Sequence, residues 1–204
     1  RQYRQRFIDM DALIFTNLSP EHIESHGSFE KYKKAKLRLI QRLAKSTKKN
    51  RLSVANVDNK HAFSFLIHDV EKNLGYSLKD VRVLSETKDS STIMYKDVEI
   101  TIPLPGKFNI SNALAALTFS QEAGISLLDA KKGIEGLTQI RGRVEKVDCG
   151  QNFEVIVDYA HTDDSLRKLY ETFSSSRKIA VLGSTGGGRD TWKRPVLGKI
   201  ADEY

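Results

Sequence analysis

The sequence predicts an α/β fold in two units, and three observations carry that expectation. Short apolar runs that read as buried strands alternate with stretches of helical period. A segment without any period, 138–142, reads as a linker, so the expected units are residues 1–140 and 141–204. A glycine-rich loop, Gly183-Ser184-Thr185-Gly186-Gly187-Gly188, follows a run read as a strand, which is where α/β proteins bind their ligands.

Each element has a local reason. Residues 12–16 (ALIFT) are an apolar run closing on a polar residue and read as a buried strand. A loop dense in polar groups occupies 17–27. Ser28 caps the helix that follows, and Lys31 stands where a capping-box acid would be, so only the cap half is expected. Tyr32, Ala35, Leu39 and Leu43 give that helix an apolar stripe. Residues 52–57 read as a strand, and Asp58-Asn59 turns the chain into a short helical piece over 61–68. Strands are expected over 81–84, 92–95 and 98–102, the last two alternating around a hairpin turn at Lys96-Asp97. Pro103, Pro105 and Gly106 end the sheet region. A helix over 110–123 is stopped by Gly124, and Ser126 caps another to about 137. The second unit reads as strands 143–147 and 153–157 around a turn at 149–152, a helix from 163, a strand over 178–182 and a helix from 194. This alternation predicts a parallel sheet.

Composition narrows the partners. The 204 residues are 39% hydrophobic and 29% charged, a globular balance that excludes a disordered chain. No apolar run approaches the roughly 20 residues of a bilayer crossing, so stable membrane insertion is not expected. The single Cys149 excludes an intrachain disulfide framework and a cysteine-rich zinc site, while a lone thiol selects no compartment. The net charge is +7, and ten Lys or Arg fall within 31–51. That excess fits a solvated helix face or an anionic ligand. The aromatics do not alternate with the basic residues as a single-strand stacking platform requires, so no nucleic-acid partner is expected. The chain opens RQYRQRF without an initiator Met and stops at LGKIADEY within a helical pattern, so a piece of a longer protein is expected.

Four clusters carry candidate chemistry. Asn17, Glu21, His22, Glu24 and His26 follow a buried strand; Glu and His together suit Mg²⁺ or Mn²⁺, and a solvated polar loop is the competing reading. Asn109 and Asn112 lie three apart at a helix start, where they either read a base edge or act as caps. Asp158 closes a strand and His161 enters the next loop; an Asp there can accept from a ribose or be a loop carboxylate with structural partners. The glycine-rich loop offers backbone donors to an anion, helped by Arg189, Lys193 and Arg194. It has neither GxxxxGK[ST] nor GxGxxG.

Taken in order, these clusters resemble the Mur ligases, the muramoyl-peptide ligases of cell-wall synthesis, and within them the branch that adds the third amino acid. TNLSPEHIESHG is similar to the family's TN…DH…D.HG, and YKKAK to its YxxAK. GKFNISNALAA is similar to GxFNxxNxLAA, and the Gly142-Arg143…Glu145 pattern to the domain-junction motif. VDYAHTDDSL is similar to VDYAHTPDSL, and GGRDTWKRP to GGDRDxxKRP. The resemblance implies the latter part of a P-loop-type central ATPase domain, its P-loop upstream of residue 1, followed by the start of a Rossmann-like C-terminal domain. It implies a cytoplasmic, ATP-dependent, amide-forming ligase of peptidoglycan synthesis. ATP and Mg²⁺ are the implied cofactors, a UDP-linked muramoyl peptide and a free amino acid the implied substrates, and a monomer the implied state.

The resemblance also assigns roles. His22 would bind Mg²⁺, and Lys36 would be carbamylated and support a second Mg²⁺. Asn109 would approach the adenine with Asn112 beside it, and Arg143 would sit at the hinge near the nucleotide. Asp158 would hold the ribose with His161 close by. Arg189, Lys193 and Arg194 would meet the nucleotide or the incoming amino acid. The sequence departs from the pattern in places. Glu21 and Glu24 replace Asp, Asp163 replaces a Pro and is expected to loosen the start of its helix, and the 184–188 stretch lacks the family's acidic group. The alternatives are a cyanophycin- or folylpolyglutamate-synthetase-like ligase, or a nucleotide-binding chain without turnover.

Overall fold

The structure, a computed structural model, describes residues 7–20, 23–183 and 190–204. Glu21, His22 and Arg189, with most of the glycine-rich loop, lie outside the described residues. The chain divides into two compact units: residues up to Asp80 with Ser111–Ala130, and Val81–Ile110 with Lys131–Tyr204.

The first unit is built on a parallel sheet of β1 (Ala12–Phe15), β2 (Leu52–Asn56) and β3 (Lys72–Tyr76), in that spatial order. A short helix, α1 (Ile23–His26), precedes α2 (Phe29–Ala44). Ser28 caps α2 by accepting from the Lys31 amide at 3.2 Å, with no reciprocal acid, as the sequence reads. The buried stripe of α2 is Tyr32, Ile40 and Leu43; Ile40 is fully buried where the expected Leu39 is only partly so. These side chains pack with Phe15, Leu18, Ala55, Phe65 and Val70 into one core. Within it the Phe15 and Phe65 rings, the latter from α3 (Phe63–Leu66), stack at 4.0 Å. Arg51 closes the far end of α2. Its Nη1 donates to the carbonyls of Leu43, Ala44 and Ser46 at 3.3, 2.5 and 3.4 Å, and its Nε donates to Glu71 at 2.7 Å. Leu43 and Ala44 close α2 and Ser46 lies just past its end, where helical amides no longer follow to serve every carbonyl.

The second unit opens with an antiparallel sheet, β4 (Arg82–Glu86), β5 (Ser91–Tyr95) and β6 (Val98–Ile102). Lys96 and Asp97 join β5 to β6 with φ of +48° and +60°, the left-handed pair that two-residue hairpins need. Helices α4 (Lys107–Glu122) and α5 (Leu127–Glu135) contribute residues to both units. The strands β7 (Glu145–Val147) and β8 (Val155–Val157) pair antiparallel. The ion pairs Lys88–Glu154 and Lys146–Asp89 tie this hairpin to the turn between β4 and β5. Finally α6 (Asp163–Thr172) and α7 (Lys193–Glu203) bury Leu166, Tyr170, Leu197 and Ile200 together.

Three expectations need correction. The second unit shows antiparallel pairings and no parallel sheet among the described residues. Residues 178–182 are not a strand: Ile179 and Val181 are 91% and 97% exposed, and no described strand pairs with them, so their backbone lacks the ladder that defines one. The start of α6 is not loosened. Thr162 accepts from the Ser165 amide in a reciprocal capping box, while Asp163 accepts from Arg167 at 2.9 Å and Asp164 from Lys168 at 2.8 Å.

Candidate active site

The loop after β1 leads into α1 and then α2, so the helical period decides what meets what. Tyr32, buried in the first turn of α2, presents its ring to His26 at 5.3 Å and to the Lys36 ammonium, one turn on, at 5.5 Å. Lys36 itself is exposed. Among the described residues no group of three or more His, Cys, Asp or Glu stands together as a metal site. An ammonium carries no lone pair for a cation. The described residues therefore do not by themselves supply a Mg²⁺ donor set. His61, which sequence reading passed over, packs its ring against Phe29 at 5.4 Å; burial, with Lys33 and Lys60 nearby, holds its pKa below the usual 6.5.

At the start of α4 the two amides separate. Asn109 is 6% exposed, and its Nδ2 donates to the Pro105 carbonyl at 2.8 Å, which fixes the turn in front of the helix. Asn112 is exposed. Gly106, in that turn, has φ of +91°, and a Cβ there would stand 2.6 Å from Thr172 Oγ1 and 2.8 Å from Phe108 Cε1. On the first unit's own residues, Asn56 at the carboxyl end of β2 donates to Ser111 Oγ at 3.2 Å. Asp58 accepts from Ser77 Oγ at 2.6 Å and from the Leu78 amide at 2.8 Å. This polar shelf directly follows a buried strand, where the sequence predicts only a turn.

The densest geometry surrounds the end of β8. Asp158 uses both carboxylate oxygens on backbone donors: Oδ2 accepts from Val144 at 2.8 Å and Oδ1 from Ala160 at 2.7 Å. Val144 has φ of +49°, a conformation that costs a side-chain-bearing residue about 1–2 kcal/mol. Around it, the Gly142 amide donates to Glu145 Oε2 at 2.6 Å, and the Tyr159 amide donates to the Gly142 carbonyl at 3.0 Å. Tyr159, 56% exposed, carries the Arg143 guanidinium 5.2 Å above its ring and the His161 ring at 4.7 Å. His161 Nδ1 lies 2.8 Å from the Tyr159 carbonyl; a carbonyl only accepts, so Nδ1 carries the proton. The structure thus brings Arg143, Asp158 and His161 together, and adds Tyr159, which sequence reasoning had not singled out. Arg143 and His161 both meet the exposed Tyr159 ring, and the Asp158 carboxylate holds the backbone beside them.

The remaining cations diverge. Lys193, 4% exposed, is buried at the first turn of α7 and its amide donates to the carbonyl of Asp190, itself 3% exposed, at 3.1 Å, whereas Arg194 is exposed. Arg189 and His22 lie outside the described residues.

Comparison with known proteins places these features in a family. The Mur ligase middle domain matches residues 1–120, and the glutamate ligase domain of Mur ligases matches residues 142–204. The UDP-N-acetylmuramoyl-L-alanyl-D-glutamate–2,6-diaminopimelate ligase of Caldanaerobacter subterraneus subsp. tengcongensis is 36% identical over 96% of this chain and 42% of its own length. That of Clostridium tetani is 37% identical over 96% and 42%. The chain therefore spans about 42% of the length of these curated relatives. A solved UDP-N-acetylmuramoyl-L-alanyl-D-glutamate–2,6-diaminopimelate ligase has a TM-score of 0.61 at 27% identity, covering 96% of this chain and 42% of that one. MurF from Acinetobacter baumannii shares the fold, with a TM-score of 0.76 at 18% identity over 95% and 45%. With more than half of its residues matched by the middle domain, and the second domain following in order, the chain belongs to the Mur ligase family.

Proposed function

We propose that the protein is an ATP-dependent ligase that adds the third amino acid to UDP-N-acetylmuramoyl-L-alanyl-D-glutamate through an acyl phosphate. The observation that carries this reading is the ordered match of the two Mur ligase domains together with relatives named for that ligation. The division at about residue 140 into central and C-terminal domains rests on the same two matches. A cytoplasmic monomer, without nucleic acid, completes the proposal; no helix among the described residues is long and apolar enough to cross a membrane.

The chemistry follows from what a carboxylate lacks. It is a poor acyl donor to an amine because oxide is a poor leaving group. Transfer of the ATP γ-phosphoryl to the carboxylate makes phosphate the leaving group, and the amine then attacks through a tetrahedral oxyanion. Mg²⁺, when bound, would neutralise charge at the nucleotide phosphates, with His22 and a carbamylated Lys36 as its proposed supports. On this reading the chain's own residues hold and orient. Asn109 and Asn112 serve the adenine, and Asp158 and His161 the ribose. Arg143, Arg189, Lys193 and Arg194 serve anionic groups of the nucleotide or amino acid. Excluding water protects the acyl phosphate from hydrolysis.

The test is phosphate release by the full-length protein. Release that requires both the nucleotide-linked dipeptide and an amino acid supports the proposal; 2,6-diaminopimelate is the first amine to try, since the relatives are named for it, with lysine as the comparison. Release indifferent to the dipeptide refutes it.

A further inference from the structure

We infer that Asp158 is a positioning residue whose carboxylate clamps the turn at 142–145 in a left-handed backbone and so sets where Arg143 stands over Tyr159. A left-handed β-branched residue persists only where its surroundings over-determine it. Val144 is such a residue, with φ of +49° and a side chain 4% exposed. Asp158 Oδ2 takes the Val144 amide at 2.8 Å, and the Ala160 amide holds the other oxygen at 2.7 Å, so the carboxylate is itself fixed. The Gly142 carbonyl accepts from the Tyr159 amide at 3.0 Å, the Arg143 amide donates to the Ile140 carbonyl at 3.0 Å, and Glu145 caps Gly142. Turn and strand end form one closed set of bonds. Arg143 is carried by the turn and Tyr159 by the strand end, so the 5.2 Å stacking between them depends on the clamp.

This inference goes beyond the ribose role proposed for Asp158 and rests on the nucleotide-site reading only where affinity is measured. A carboxylate offers about four lone-pair directions, so two backbone amides leave room for a hydroxyl. One side chain then both shapes the site and meets the ligand.

A double-mutant cycle separates the two jobs. Glycine adopts the left-handed region without cost, so Val144→Gly removes the need for the clamp. The readout is limited trypsin cleavage at Arg141 and Arg143 in the full-length protein without nucleotide. Asp158→Ala is expected to speed cleavage about tenfold, the size of losing hydrogen bonds to a charged acceptor in a locally opening segment. In the Val144→Gly background the same substitution is expected to change the rate by threefold or less, a coupling that general destabilisation would not produce. Affinity for a non-hydrolysable ATP analogue gives the second reading. Asp158→Ala weakens binding in both backgrounds, and by less in the glycine one. Equal cleavage effects of Asp158→Ala in the two backgrounds, or none in either, overturn the clamp. Absence of analogue binding by the unsubstituted protein refutes the nucleotide reading and leaves the cleavage cycle to judge the clamp alone.

Discussion

Gly106→Ala is the substitution whose cost the structure states most directly. Gly106 is buried in the turn before α4, and both the Asn109 and Ile110 amides donate to its carbonyl, at 2.9 and 3.4 Å. Two costs follow from adding a Cβ. The first is conformational: φ of +91° lies in the left-handed range, which disfavours an L side chain by about 1–2 kcal/mol. The second is steric. The new carbon would stand 2.6 Å from Thr172 Oγ1 and 2.8 Å from the Phe108 ring, and Thr172 is held by its own bond to the Lys168 carbonyl at 2.8 Å. Overpacking of this kind costs about 1–3 kcal/mol. The sum is about 2–5 kcal/mol, which at ~2–4 °C per kcal/mol lowers the midpoint of thermal unfolding by roughly 5–15 °C. Scanning calorimetry of the two proteins under one set of conditions measures it. The double variant Gly106→Ala/Thr172→Ala removes the nearest clash and should recover part of the loss, with the backbone cost remaining. A single variant within about 2 °C of the parent would refute both parts of the reasoning.

Further outcomes are expected. Asn109→Ala leaves the Pro105 carbonyl without its donor and should cost about 1–3 kcal/mol of stability; if Asn109 also serves the adenine, calorimetric titration with an ATP analogue will show weaker binding, and unchanged binding returns it to a structural role alone. If the proposed ligation holds, Lys36→Ala in the full-length protein should abolish most turnover while keeping the fold, and ¹³C NMR in labelled bicarbonate should show a carbamate in the parent; normal turnover and no such signal would leave Lys36 a surface lysine over Tyr32. His61 has its pKa lowered by burial and by Lys33 and Lys60, so below the usual 6.5 the unfolded chain binds the proton first. Stability should therefore fall as pH drops through that value and level off below the folded pKa. Chemical denaturation of the parent and of His61→Phe at pH 7.5 and 5.5 tests this, and equal pH dependence would count against it.

The parts of the fold that a local pattern dictates were legible in the sequence. Lys96-Asp97 between two alternating runs gave the hairpin, and Ser28 and Gly124 marked helix ends because capping and left-handed closure are single-residue chemistry. The strand β3 was missed: Lys72-Asn73-Leu74-Gly75-Tyr76 has no alternation, and it is a strand only because β2 pairs with it in parallel register. The run over 178–182 failed for the converse reason, since its apolar residues have no described neighbour to pair with. In the site, residue types at Asn109, Arg143, Asp158 and His161 could be singled out, but partners could not. That Asp158 spends both oxygens on backbone amides depends on Val144, 14 positions away, and on a φ that no composition reveals. Tyr159 went unweighted because its role comes from standing between Arg143 and His161 in space.

Arg51 has a consequence for how the protein meets ionic strength. Its contact with Glu71 at 2.7 Å is exposed enough for salt to screen. The three carbonyls it also reaches are dipoles that counterions displace poorly, and they stand at and just past the end of α2. The charge attraction can fade in concentrated salt while the fork stays seated on the helix. A lysine at this position would offer a single flexible ammonium in place of that planar fork. The guanidinium thus joins the end of α2 to the start of β3 by shape as much as by charge.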